Sequence, residues 1–171
     1  MTRLVLFDID GTLIRTGGAG VHAFGRTAEL LYGVAGVAER TRFHGRTDTA
    51  LVREFFLSNG LQGRSWDIRH FLDAYVFLLD HRLQENRGEI CPGVPQFIQA
   101  LKQLSEPPAL GLLTGNIRLG AKIKLGAHSL WGTGCAELLP TITTTATNWP
   151  ASPATVLRVS WDAVSKVLKY W

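Results

Sequence analysis

Two short apolar runs limit what this chain can fold into more than any other feature. Leu4-Val-Leu-Phe7 ends in Asp8-Ile-Asp10-Gly11, and Ala109-Leu-Gly-Leu-Leu113 ends in Thr114-Gly-Asn116. Each run is continuous rather than alternating, so each reads as a strand covered on both faces, as in a parallel sheet. Between them, residues from about 16 to 88 carry helical spacing only. Val21, Phe24, Ala28 and Leu31 mark one helix. Thr47-Asp48 caps a second, with Leu51, Val52, Phe55 and Phe56, which ends at Asn59-Gly60. Ser65 caps a longer third, striped by Ile68, Phe71, Tyr75, Leu79 and Leu83, with Trp66 expected in the same helical core. Gly17, Gly18 and Gly20 read as a flexible joint before this segment, and Cys91-Pro-Gly93 marks its end. An amphipathic helix over Val94 to Leu104 and a further helix from near Ile117, carrying Lys122 and Lys124, complete the pattern. The expected fold is α/β, a parallel-sheet core of residues 1–15 and 89–125 with an all-helical module at 16–88.

Composition narrows the function. A chain of 171 residues with 46% hydrophobic content can bury one sizeable core and a small second module. Lys+Arg exceed Asp+Glu by 18 to 14, but the positive charges are scattered and form no dense block. A nucleic-acid partner is therefore not expected, whereas a small anionic substrate suits the balance. Cys91 and Cys135 lie far apart without a Cys-x-x-Cys pair or a Cys/His cluster. Both are expected to be free thiols in a reducing compartment, with no zinc. The five histidines share no spacing and read as surface or packing residues. The N-terminal apolar run is cut by Asp8 and fails as a signal peptide. No stretch approaches the ~20 apolar residues that span a bilayer. A soluble cytoplasmic protein without a membrane partner is expected, and the oligomeric state stays open.

The chemistry is expected beyond the carboxyl ends of the strands, where open α/β sheets bind ligands. Asp8 and Asp10, two residues apart, would share a face in extended geometry. Two carboxylates that close need a cation or a shared proton. Magnesium favours carboxylate and phosphate oxygens together. One carboxylate can then attack phosphorus while its neighbour protonates the leaving oxygen and later activates water. Thr114 and the amides of Gly115 and Asn116 can bind phosphate oxygens, and a lysine on the next helix can offset developing charge. The structural alternatives are turn acids for Asp8 and Asp10, a helix cap for Thr114 to Asn116, and a solvated face residue for Lys124. Gly17-Gly-Ala-Gly20 lacks the Gly-Lys-Ser/Thr that would make it a phosphate loop.

Phe7-Asp-Ile-Asp-Gly-Thr-Leu13 resembles the first motif of the haloacid dehalogenase superfamily. Leu112-Leu-Thr-Gly-Asn116 resembles its second motif, in the version of phosphoglycolate-phosphatase-like members. Cys91-Pro-Gly-Val94 is similar to the segment that re-enters the core after a helical cap, and Phe43-His-Gly-Arg-Thr-Asp48 to a cap motif. The resemblance, over residues 3 to 125, implies Asp8 as nucleophile and magnesium ligand. It implies Asp10 as general acid/base and a ligand through its carbonyl. Thr114, Gly115 and Asn116 would bind phosphate. Gly45-Arg46 in the cap reads as a turn with a surface charge, with a grip on the organic part of the substrate as the alternative. Lys124 fits the third-motif lysine, with Lys122 the weaker candidate. The implied activity is magnesium-dependent hydrolysis of a small phosphorylated metabolite, 2-phosphoglycolate at family level, through an aspartyl phosphate. Dehalogenase chemistry is disfavoured by Asp10, an acid that dehalogenase members lack. The remaining alternative is a non-catalytic phosphate-binding or interaction protein on a degenerate scaffold.

The texture changes after Leu125. Thr141-Ile-Thr-Thr-Thr-Ala-Thr147 and the Pro- and Trp-rich stretch behind it hold no helical or alternating pattern. Residues 126–171 read as an atypical tail and, by reverse translation, as a frameshift product. Shifted by one base, the codons from Pro140 onward permit an acidic loop and an amphipathic helix of the kind this family carries there. A genuine but divergent tail is the alternative. The expected consequences are an incomplete core, a missing acidic pair in the metal site, weak magnesium binding, impaired turnover and poor solubility.

Overall fold

The structure is a computed structural model that describes residues 4–131, 141–142 and 154–157. The chain opens with β1 (Leu4–Phe7) and the two-residue strand β2 (Ile14–Arg15). Four helices follow with no strand between them: α1 (Ala19–Tyr32), α2 (Val37–Arg40), α3 (Asp48–Ser58) and α4 (Ser65–Glu85). The chain returns through β3 (Glu89–Ile90), α5 (Val94–Lys102), β4 (Ala109–Leu113) and α6 (Arg118–Gly126). Two short strands, β5 (Thr141–Ile142) and β6 (Ala154–Leu157), come last among the described residues.

Both apolar runs form the expected strands. β1 and β4 pair in parallel, with Leu4 opposite Ala109 and Phe7 opposite Leu112. β5 extends the parallel core beside β4, and β6 lies antiparallel on the other side of β1. The sheet order is β5-β4-β1-β6. This is the Rossmann-like parallel core with an inserted helical region that the sequence predicts, plus an antiparallel edge strand that it does not. The rest of the tail, Cys135 and the frameshift expectation lie outside the described residues.

Apolar residues gather in two clusters. One lies inside the helical insert, around Phe24, Phe55, Phe56, Phe71 and Leu79, with aromatic rings meeting edge-on or tilted at 4.8–6.3 Å. The other lies under the sheet, around Val5, Phe7, Ile9, Ile14, Leu112 and Leu125. α6 belongs to both: Ala121 and Leu125 pack into the sheet cluster, and Ile123 packs against the insert. That helix therefore ties the insert to the core, and Lys124 sits on it between the two.

A small antiparallel ribbon closes the base of the insert, Ile14 opposite Ile90 and Arg15 opposite Glu89. The entry into β3 demands Gly88, which has φ +75° and where a Cβ would lie 2.0 Å from the Arg15 carbonyl oxygen. Elements of two residues carry no periodicity, so the sequence pattern does not reveal them. Three local expectations are corrected. Gly20 is not part of a joint but sits in the first turn of α1. Ser65 is the first residue of α4, not its cap; the Asp67 carboxylate accepts the Arg64 amide there at 2.9 Å. Trp66 is exposed, with the Arg64 guanidinium 5.8 Å from its ring centroid, because that helical position faces away from α1 and α3. Thr47 caps α3 as expected, its hydroxyl accepting from the Ala50 amide at 3.2 Å.

Candidate active site

Parallel pairing of β1 with β4 brings their carboxyl ends to one edge of the sheet, so Asp8 and Thr114 leave adjacent strands side by side. Past that edge the polar residues interlock. Lys124, buried on α6, donates to Asp10 Oδ1 at 2.9 Å, to Asp10 Oδ2 at 2.7 Å and to Asn116 Oδ1 at 2.6 Å. Asn116 Nδ2 donates to Asp10 Oδ2 and to Thr114 Oγ1, both at 2.8 Å. The Thr114 hydroxyl accepts from Asn116 and lies toward the Asp8 carboxylate, whose charged form it favours. Asp10, Thr114, Asn116 and Lys124 thus form one hydrogen-bonded array with Asp8 beside it, and among the described residues no buried side-chain nitrogen or oxygen lacks a partner.

Electrostatics separate the two acids. Asp8 opens to solvent on one side, while the protein packed against its other sides strips part of its hydration. That desolvation pushes its carboxyl above the ordinary aspartate range, and repulsion from Asp10 adds to the rise. The Ile9 amide, Thr114 and Lys124 oppose it. Asp10 is the ion-pair partner of Lys124; its side chain is 45% exposed against 5% for the lysine. Lys122 is exposed on the same helix, so the geometry brings Lys124 and not Lys122 to the acids.

The helical insert also reaches this edge. The Asp48 amide donates to the Gly115 carbonyl at 2.8 Å, and Asp48 Oδ2 accepts from the Ile117 amide at 2.8 Å. The contact is so close that a Cβ on Gly115 would lie 2.4 Å from the Arg46 carbonyl oxygen. Burial pushes the Asp48 carboxyl up to about 6, against the lowering effect of the Ile117 amide and Lys124. Gly45, at φ +74°, turns the loop that leads there. The Arg46 guanidinium pairs with Glu54 of α3, so its backbone, not its charge, meets the Thr114–Asn116 turn. Gly20 and Tyr75 complete the wall: a Cβ on Gly20 would sit 3.3 Å from the Tyr75 hydroxyl oxygen and 3.5 Å from the Lys124 ammonium. Sequence reasoning assigned Asp48 to a helix start and Tyr75 to the helical stripe. Both assignments hold, but a cap and a stripe do not reveal what faces them across the fold.

The histidines expected at the surface are there, with His22, His44, His70 and His81 all exposed. Cys91 is a free, buried thiol. No helix among the described residues is long and apolar enough to cross a membrane.

Comparison with known proteins agrees with this arrangement. A family model described as haloacid dehalogenase-like hydrolase matches residues 2–144. The chain belongs to the haloacid dehalogenase-like hydrolases. No curated protein sequence matches. Among solved structures, a hydrolase from Pseudomonas syringae superposes with a TM-score of 0.58 at 18% identity, over 82% of this chain and 61% of the other. CbbY from Rhodobacter sphaeroides, solved in complex with phosphate, superposes with a TM-score of 0.61 at 20% identity, over 81% of this chain and 63% of the other. At those identities the likeness is one of fold. This haloacid dehalogenase-like chain spans just over three-fifths of the length of each of these structures.

For a divalent metal, the donor chemistry at the strand end is of the right kind. The open Asp8 carboxylate and the neighbouring Asp10 main chain offer the hard oxygens that magnesium selects. No group of three or more His, Cys, Asp or Glu that could hold a metal occurs among the described residues.

Proposed function

We propose that this chain carries the site of a magnesium-dependent phosphomonoester hydrolase, acting on a small phosphorylated metabolite through an aspartyl phosphate. The observation that carries the reading is the hydrogen-bonded array of Thr114, Asn116, Asp10 and Lys124 beside the open Asp8 carboxylate, where two parallel strands end. In this reading an Asp8 carboxylate oxygen attacks phosphorus. The ester P–O bond breaks, and the electron pair leaves with the alcohol oxygen, to which Asp10 delivers a proton. Asp10 then takes a proton from water, whose oxygen attacks the phosphorus of the aspartyl phosphate and frees Asp8 and inorganic phosphate. Thr114 and the amides of Gly115 and Asn116 hold phosphoryl oxygens. For Asp10 to act as an acid, its pair with Lys124 must part, and the freed ammonium can then offset phosphoryl charge. Asp8 and the Asp10 carbonyl would hold magnesium, which when bound supplies positive charge against the phosphoryl oxygens.

The helical insert acts here as a cap over the strand ends, with residues 1–15 and 89–125 as the core. Gly45 and Arg46, at the edge of that cap, would lie toward the organic part of the substrate. Turnover by this chain is impaired, on the reading that the texture after Leu125 marks a lost acidic motif. A second reading, a phosphate-binding protein without turnover, is favoured by the two-acid donor set among the described residues. Hydrolysis of a generic aryl phosphate, with and without magnesium, separates the two. Slow release that needs both magnesium and Asp8 supports the hydrolase. Phosphate binding with no release supports the binding protein.

A further inference from the structure

We propose that Asp48 is a positioning residue that clasps the helical insert onto the β4–α6 turn and so holds Thr114, Asn116 and Lys124 in register for a phosphoryl group. The inference deepens the phosphoryl-transfer reading above and rests on it. Three contacts, all between backbone-anchored groups, make the clasp. The Asp48 amide reaches the Gly115 carbonyl, the Asp48 carboxylate reaches the Ile117 amide, and the Arg46 carbonyl lies against Gly115. Gly115 is the middle residue of the Thr114–Asn116 turn, and Ile117 is the N-cap of α6. One residue of the insert therefore pins both, its amide holding the turn and its carboxylate the start of the helix that carries Lys124.

The site's geometry depends on that start. Lys124 meets Asp10 and Asn116 only if α6 keeps its axial position against the sheet edge, since its bonds run from α6 to the loop after β1 and to the β4–α6 turn. Ile117 itself packs against the apolar cluster of the insert, so its amide and its side chain are both held from the insert side. A carboxylate at a helix N-terminus also meets the positive end of the helix dipole. The same geometry raises an opposite possibility: that the Asp48 carboxylate occupies a place an anion would take and so competes with phosphate. The pinned turn favours positioning, because Asp48 grips the Gly115 carbonyl, an acceptor no phosphate can use.

The test combines amide exchange with binding of inorganic phosphate to the full chain. Asp48→Ala should speed exchange at Ile117 roughly tenfold, the scale of one lost hydrogen bond. It should weaken inorganic phosphate by a similar factor. Asp48→Asn, which keeps an acceptor of the same reach, should restore both. If Asp48→Ala does not fold, Gly115→Ala attacks the clasp from the other side and should speed exchange at the Asp48 amide. Unchanged exchange at Ile117 in Asp48→Ala overturns the clasp. Faster exchange with unchanged phosphate affinity overturns the positioning role. Tighter phosphate binding in Asp48→Ala overturns it in favour of competition. A wild type that binds no phosphate would count against the proposed function, and the exchange result alone would then decide the clasp.

Discussion

Replacing Asp48 with Asn should flatten the pH dependence of stability between about pH 4 and pH 6. The ordinary aspartate value is 3.8, and burial raises Asp48 to about 6 in the fold. The folded protein therefore binds this proton more tightly than the unfolded chain does. Its stabilising contribution is fully present below 3.8 and is lost as pH rises through about 6. At about 1.4 kcal/mol per pH unit, the gap amounts to about 3 kcal/mol. The groups facing Asp48 are Lys124 and the Ile117 amide, which favour its charge, and Asp10, which opposes it. Asp8 titrates in the same direction, so the wild-type curve alone would not isolate Asp48. The difference between wild type and Asp48→Asn does. Urea unfolding at intervals from pH 4 to pH 7.5, followed by circular dichroism, should show the variant gaining up to about 3 kcal/mol on wild type as pH rises. Parallel stability curves would refute the assignment of a raised, buried Asp48.

Two further substitutions probe the array and its frame. Lys124→Met keeps the length of the side chain but leaves the Asn116 carbonyl and Asp10 without their buried donor; with Asp10 half open to water, urea unfolding should show a loss of roughly 2 kcal/mol, and no loss would contradict the paired geometry. Gly88→Ala places a Cβ against the Arg15 carbonyl at positive φ, so it should cost more than about 1 kcal/mol and speed amide exchange at Cys91, whose N–H donates to the Leu13 carbonyl beside the ribbon.

The parts of this fold that were legible in the sequence are those with a period or a sharp end. Leu4–Phe7 and Ala109–Leu113 are continuous apolar runs, and the strands occupy those residues. α3 starts and stops where Thr47 and Asn59 place it. The acids and the Thr-Gly-Asn turn were legible because strand ends in a parallel sheet converge. What escaped was short or distant. β2 and β3 are two residues each, below the length at which alternation exists. Trp66 is apolar in type but falls on the outer face of α4. The Asp48–Ile117 bond joins residues of different elements, and nothing local distinguishes an Asp that merely opens its own helix from one that also reaches another. The choice between Lys122 and Lys124 was open by spacing and is decided by the direction each faces on α6.

The central claim is that phosphoryl transfer runs through Asp8. The direct measurement is to mix the chain with an aryl phosphate and magnesium, quench in acid, and map phosphorylation by peptide mass. The account predicts a phosphoryl group on Asp8 that requires magnesium and disappears in Asp8→Asn, with slow release of inorganic phosphate. Phosphorylation at another residue, or phosphate release that survives Asp8→Asn, would contradict it.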